Sequence, residues 1–303
     1  MTATHLHQCL PSPRSKWFLA FLLLLILPEP LQSQVVINEF MASNSLAFED
    51  PDFDDTGDWV ELFNSGDATV NLSGWHLTDN ASDPTKWTFP DGVEVPAGEF
   101  LVVWCDEQNT AGLALHSSYR LSSAGEELAL FTPQLEAMDS FVFGQQQADV
   151  SYGRLEDGAS NWAWFSEATP GNSNDSSEPF SGITYGVPYF SMKGGFFEGA
   201  LEVELTSIVG EVRYTTDGRT PTLVDPIYSN PIAVSADAFV RARVFEEGHI
   251  PGPVVTHSYF LEPELSERPL PVVSLVTDPD YFWDADTGIY VQDFKPDWEW
   301  PVN

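Results

Sequence analysis

Asp58-Trp59-Val60-Glu61-Leu62-Phe63-Asn64 decides the fold, because its alternation sets Trp59, Glu61 and Phe63 on one face and Val60 and Leu62 on the other. That is the two-residue period of a β-strand. An acidic loop, residues 49–58, leads into it. Ser65-Gly66-Asp67 then turns the chain back, and Gly74-Trp75-His76-Leu77 opens another extended run. The opening reads as an antiparallel sheet.

Outward from this strand, residues 34–174 repeat one pattern of short apolar runs broken by turns. The runs are residues 35–40, 59–63, 75–78, 87–89, 100–105, 128–131, 138–143 and 162–165. The breaks Pro90-Asp91-Gly92, Pro96-Ala97-Gly98 and Asp157-Gly158 favour turns, since proline presets one backbone angle and glycine accepts positive φ. No long stretch has helical periodicity. The pattern predicts an all-β, immunoglobulin-like sandwich.

The chain has 303 residues, a length that suits about two domains. It is 43% hydrophobic and 13% aromatic, enough to bury real cores and unlike a disordered chain. With 46 Asp+Glu against 12 Lys+Arg, its formal charge of −34 would repel a phosphate backbone, so no nucleic-acid partner is expected.

Residues 1–33 read as a secretory signal. Arg14 and Lys16 precede an apolar run from Trp17 to Leu27, and Leu31-Gln32-Ser33 offers a cleavage site before Gln34. The run is about half the ~20 residues that a membrane-spanning helix needs. The mature chain is therefore expected to be extracellular or surface-bound, with no transmembrane span. Cys9 would leave with the signal, so Cys105 would stand without a disulfide partner. Within Phe100-Leu101-Val102-Val103-Trp104-Cys105 it reads as a small buried hydrophobe.

Ile37-Asn38-Glu39-Phe40-Met41-Ala42-Ser43-Asn44, the opening strand, and Leu72-Ser73-Gly74-Trp75-His76-Leu77-Thr78-Asp79 together resemble the bacterial lamin tail domain. Ser151-Tyr152-Gly153-Arg154, Trp162 and Thr169-Pro170-Gly171-Asn172 resemble that domain's last strands and exit. The resemblance implies an immunoglobulin-like sandwich used for tethering or interaction, with no catalytic residues.

Residues 175–186, rich in Ser, Gly, Glu and Pro, read as an exposed linker. Beyond them, Leu201-Glu202-Val203-Glu204-Leu205 and Phe239-Val240-Arg241-Ala242-Arg243-Val244-Phe245 alternate as strands of a second small sandwich, residues 187–262. Val212-Arg213-Tyr214-Thr215-Thr216-Asp217-Gly218, Thr220-Pro221-Thr222, Tyr228 and Pro231-Ile232 resemble the chitobiase/β-hexosaminidase C-terminal domain, a non-catalytic module that implies positioning or binding. From residue 263, Leu270-Pro271-Val272-Val273-Ser274-Leu275 and Thr287-Gly288-Ile289-Tyr290-Val291 resemble the opening of the CotH kinase-like family. That resemblance implies that kinase residues would follow Asn303, and that apolar residues of 270–303 lack packing partners. The company of domains points to a bacterial exported protein.

Within the acidic loop, Asp50, Asp52, Asp54, Asp55 and Asp58 crowd oxygen donors as calcium loops do. The spacing starts like an EF-hand, yet Asp55 stands where the turn glycine belongs and Glu61 lies on a strand. A calcium site and a solvated acidic loop both fit. Trp162 and Trp164 share a face and suit either glycan stacking or core filling. Arg241 and Arg243 also share a face, beside Arg213. They suit either an anionic contact or cross-strand pairing with Glu202 and Glu204. His76, His116, His249 and His257 are scattered without metal-ligand spacing, and no nucleophile elbow or phosphate loop is present. The expected function is non-catalytic, toward an extracellular or cell-surface protein or a polysaccharide. It would be exercised as the accessory front end of a CotH-like protein or of a polysaccharide- or wall-acting enzyme.

Overall fold

A computed structural model describes residues 34–53, 55–110, 112–261, 272–284 and 290. The expected signal, residues 1–33, lies outside the described residues, as does most of 263–303. Among the described residues, no helix is long and apolar enough to cross a membrane.

The first sandwich comprises β1 (Val35–Met41), β2 (Asp58–Asn64), β3 (Val70–Asn71), β4 (His76–Thr78), β5 (Trp87–Thr88), β6 (Glu94–Val95), β7 (Phe100–Cys105), β8 (Leu115–His116), β9 (Glu126–Phe131), β10 (Ala137–Phe143), β11 (Ser151–Arg154), β12 (Trp162–Phe165) and β13 (Pro179–Phe180). One sheet has the order β13-β12-β11-β1-β2-β7-β8, and the facing sheet β10-β9-β4-β5. Gly92, Gly98 and Gly158 hold φ of 84°, 72° and 74°, the left-handed geometry that the three expected turns require. Between the sheets lie Val35, Ile37, Phe40, Val60, Leu62, Leu77, Val103, Leu128 and Leu130, all essentially inaccessible. Each such side chain contributes about 1.5–3 kcal/mol by its burial.

Strand β2 alternates as its sequence dictates, but both of its faces are buried. Val60 and Leu62 enter the core between the sheets. On the other face, Trp59 packs with Met41 and Trp104 beneath Phe48, whose ring stacks on Trp104 at 5.1 Å. Cys105 is buried too, and burial pushes its thiol pKa upward, as for an inert small hydrophobe.

Strand β1 breaks the alternation. Ile37 pairs with Leu62 and Glu39 with Glu61, so the register shifts at Asn38. This bulge returns Phe40 to the core and leaves both Asn38 and Glu39 for the opposite side.

The second sandwich comprises β14 (Gly182–Ile183), β15 (Tyr189–Phe190), β16 (Gly195–Phe196), β17 (Leu201–Val203), β18 (Leu205–Thr206), β19 (Glu211–Thr215), β20 (Ile232–Val234), β21 (Ala238–Phe245), β22 (His249–Ile250) and β23 (Val255–Phe260). Its main sheet runs β16-β23-β21-β19, with β15-β18 and β17-β20 as paired ribbons. Val203, Leu205, Val212, Val240, Ala242, Val244 and Tyr259 form its core. A one-turn helix, α1 (Asp280–Trp283), follows. Val273 and Leu275 are exposed.

Residues 175–186 differ from the exposed linker that their composition suggests. Strand β13 extends the first sandwich's sheet, with Phe180 opposite Trp164. One residue later, β14 pairs in parallel with β22 of the second sandwich. Ser181 bridges the two by donating its N–H and hydroxyl to the Gly248 carbonyl, at 2.8 and 2.9 Å. Val150, Ile183 and Ile250 then pack with Trp164 and Phe180 across the junction. Most residues from 175 to 182 are exposed, which accounts for the polar composition, while Ile183, Thr184 and Gly186 are buried.

Candidate functional site

The acidic loop folds onto one end of the first sandwich, and its carboxylates part company. Asp50 and Asp52 turn inward to meet Asp106, which directly follows β7, and His116, which ends β8. Parallel pairing of β8 with β7 sets His116 beside Trp104. The imidazole is fully buried, its Nδ1 lying 2.9 Å from Asp106 Oδ2 and 3.5 Å from Asp50 Oδ2. Its Nε2 lies 3.1 Å from Asp52 Oδ2.

Backbone donors fix these carboxylates. Asp52 accepts the N–H groups of Leu113 and Ala114, each at 2.9 Å. The approach needs Gly112, because a Cβ there would stand 2.7 Å from both Asp52 oxygens. Asp50 accepts the Asp52 N–H at 2.8 Å, and Asp106 that of Gln108 at 3.1 Å. The two backbone donors, followed by the His116 hydrogen bond, hold the Asp52 pKa below the usual carboxylate range. Burial pulls the His116 pKa down, but hydrogen bonds that the ring donates to Asp52 and Asp106, with the charges of Asp106 and Asp50, outweigh it and leave the net shift upward.

The other members of the expected calcium set lie elsewhere. Asp55 caps the Thr56 N–H. Asp58 sits on β2 opposite Cys105 and accepts the Asn44 N–H at 3.4 Å; burial raises its pKa to about 6. Asp54 lies outside the described residues. His116, unremarkable in the sequence, is the residue around which the cluster closes.

A second polar cluster occupies the outer face of β1 and β2. Glu39 and Glu61, cross-strand partners, are both fully buried. Glu39 accepts the Ser151 hydroxyl at 2.5 Å, the Thr169 hydroxyl at 2.9 Å and the Thr169 N–H. Glu61 accepts from Asn38 Nδ2 at 3.1 Å and from the Gly171 N–H at 2.6 Å. Asn38 also donates to Asp157 at 3.0 Å. Thus Thr169-Pro170-Gly171-Asn172 is the lid over two buried carboxylates. Gly153 belongs to the same arrangement, because a Cβ there would lie 2.8 Å from Asn174 Nδ2 and 2.9 Å from Glu39 Cγ.

Burial first, then the nearby charges of Glu39 and Asp157, raise the Glu61 pKa to about 8 against the lowering effect of its hydrogen bonds. The folded state therefore keeps a proton that the unfolded chain releases from about pH 4.5 upward. Stability carried by that proton is present at low pH and lost as the pH rises toward 8. Glu61→Gln is expected to melt higher than the wild type, with a gap that widens between pH 5 and 8. Paired thermal melts at several pH values check this; a gap independent of pH would exclude a protonated Glu61.

Trp162 and Trp164 do share a face, but each is half-buried. Trp162 stacks on Phe141 at 4.3 Å and on Tyr152 at 5.3 Å, with the Arg154 guanidinium 5.0 Å from its ring. Trp164 packs into the junction between the sandwiches. Arg213 and Arg243 are cross-strand neighbours on β19 and β21, as expected. Their guanidinium groups, and that of Arg241, donate to backbone carbonyls, while the Nε atoms of Arg213 and Arg241 are buried without a hydrogen-bond partner. Arg241 donates to Gly218, Arg243 to Gly252 and Pro251, and Arg213 to Leu223 and Asp225. Arg213 alone of the three makes an ion pair among the described residues, with Glu211 at 3.1 Å rather than with Glu202 or Glu204. Strand β17 pairs with β20 instead, which directs Glu202 toward Ala233.

The fold and its polar clusters define a tandem immunoglobulin-like protein. Residues 28–145 match the family model of the Lamin Tail Domain, and residues 192–256 that of the Chitobiase/beta-hexosaminidase C-terminal domain. No curated protein matches the chain. The first sandwich extends beyond its matched stretch, since β11 pairs directly with β1 and β12 with β11.

Proposed function

We propose that this chain is an exported, non-catalytic tethering and positioning protein, the accessory front end of a CotH-like surface protein. The observation that carries this reading is the join between the two sandwiches. A continuous pair of strands, β13 and β14, with Trp164, Ile183 and Ile250 packed across it, makes the two modules one stiff arm. Such an arm suits holding a partner at a set distance and orientation. It is less suited to two independently roaming binding modules, for which a flexible linker would serve.

A polysaccharide is the favoured surface because an exposed aromatic stripe lies beside the join. From Tyr185 to Phe190 exposure alternates, leaving Tyr185, Val187 and Tyr189 62%, 53% and 67% accessible. Aromatic faces stack on sugar rings, and this stripe is open where Trp162 and Trp164 are covered. The test is retention of the intact protein on insoluble chitin and on peptidoglycan, together with fractionation of the producing cells. Retention that Tyr185→Ala with Tyr189→Ala reduces at least tenfold, and a product found outside the cytoplasm, are the expected results. A cytoplasmic product that flows through both matrices would overturn the proposal.

A further inference from the structure

We propose that Asp50, Asp106 and His116 bind a divalent transition-metal ion, with Asp52 as the positioning residue that orients the histidine. One donor atom from each of the three lies within 4.8 Å of the others, and all three residues are buried. The Nδ1 distances of 2.9 and 3.5 Å to Asp106 and Asp50 bracket the separation of about 3.4 Å between ligands each about 2.1 Å from a tetrahedral ion.

The histidine supplies the independent argument. Asp52, itself anchored by two backbone N–H groups, faces Nε2 at 3.1 Å, while Asp106 faces Nδ1 at 2.9 Å, so a neutral ring has one proton for two facing carboxylates; in the metal-bound form that proton sits on Nε2, toward Asp52. The remaining nitrogen, Nδ1, then aims its lone pair between two buried carboxylates. Lone pair against carboxylate is repulsive, so the geometry calls for a cation at that point. A carboxylate that holds one imidazole nitrogen while the other faces a metal is a recurrent arrangement in metal sites.

Two cations could meet the demand, a proton or a metal ion. A proton would make imidazolium and leave two of the three aspartate charges without compensation. Among the described residues no lysine or arginine lies within ion-pair distance of Asp50, Asp52 or Asp106; the nearby Arg120 pairs with Glu107 at 3.3 Å. A divalent ion leaves one negative charge instead of two, and so suits a buried site better. The mixed donors choose among metals. Calcium takes oxygen ligands only, whereas imidazole with carboxylates suits zinc or manganese. The ion would tie the acidic loop, through Asp50, to the end of β7 and to β8, bracing this end of the first sandwich.

The experiment uses the full chain without a histidine tag, stripped of metal and then supplied with zinc, manganese or calcium at millimolar concentration. Zinc or manganese is expected to raise the melting temperature by about 5 °C, with one ion per chain by elemental analysis. Asp106→Asn is expected to abolish both effects while keeping the wild-type circular dichroism. Should that variant fail to fold, imidazole nitrogen chemical shifts decide with the wild-type protein: metal must move the His116 Nδ1 resonance. A melting temperature unmoved by zinc and manganese, with both His116 nitrogens protonated, would overturn the proposal, as would a response to calcium alone.

Discussion

Glu39→Ala is expected to lower the melting temperature by about 10 °C. The carboxylate accepts the buried Ser151 hydroxyl and the buried Thr169 N–H, and shares the Thr169 hydroxyl with Asn174 Oδ1, which lies at the same 2.9 Å. Each buried donor left unpaired costs about 1–3 kcal/mol, although some of that is returned as Asp157 loses a neighbouring negative charge. A net loss of about 3–5 kcal/mol corresponds to roughly 10 °C for a chain of this size. The lid of residues 169–172 should also open, because Thr169 is one of its two anchors. Glu39→Gln, which keeps a carbonyl acceptor, is expected to recover most of the loss. Calorimetric melting and proteolysis within residues 157–174 measure both effects. A shift of under 2 °C for Glu39→Ala would show that the carboxylate merely occupies space.

Trp164→Ala is expected to uncouple the two sandwiches. The indole packs against Val150, Ile183, Ile250 and Phe180 and lies 4.5 Å from the Tyr152 ring. Removing it takes away the largest apolar body at the junction, at a cost of about 2–3 kcal/mol for a half-buried tryptophan. The backbone pairing of β13 and β14 alone is short, two residues on each side. Cleavage within residues 175–186 should accelerate by about tenfold or more, and a single unfolding transition should separate into two. Trp162→Ala is the control, because that ring packs against the first sandwich's core and is not part of the apolar group at the junction. It is expected to destabilise the first sandwich without exposing residues 175–186. Equal cleavage in both variants would show that Trp164 has no special part in the junction, and would weaken the stiff-arm reading of function.

Much of the architecture was legible because β-structure writes itself locally. The alternation of Val60 and Leu62 against Trp59 and Glu61, and the glycines of the Pro90, Pro96 and Asp157 turns, are consequences of a two-residue side-chain period and of backbone sterics. Neither depends on distant residues. Two-residue strands such as β8 and β14 escaped notice, because so short a pairing leaves no period to read.

The site was legible only in part. Asp50 and Asp52 were singled out by their density in the chain, yet density does not distinguish carboxylates that converge from those that part. Asp106 and His116 carried no local signal, being ten residues apart with no ligand-like spacing. Trp162 and Trp164 showed a shared face but not what covers it.

By itself, then, the sequence determined a mainly β chain of two sandwiches with a strongly acidic composition, since period, turn chemistry and net charge are properties of neighbours along the chain. Only the tertiary structure decided that the bulge at Asn38 sends Glu39 to meet Glu61, that β8 lies along β7 so His116 reaches Asp50 and Asp106, and that residues 175–186 join rather than separate the sandwiches. Each of these depends on strand register and on contacts between residues distant in sequence, and those are settled by which apolar surfaces bury each other when the whole chain packs.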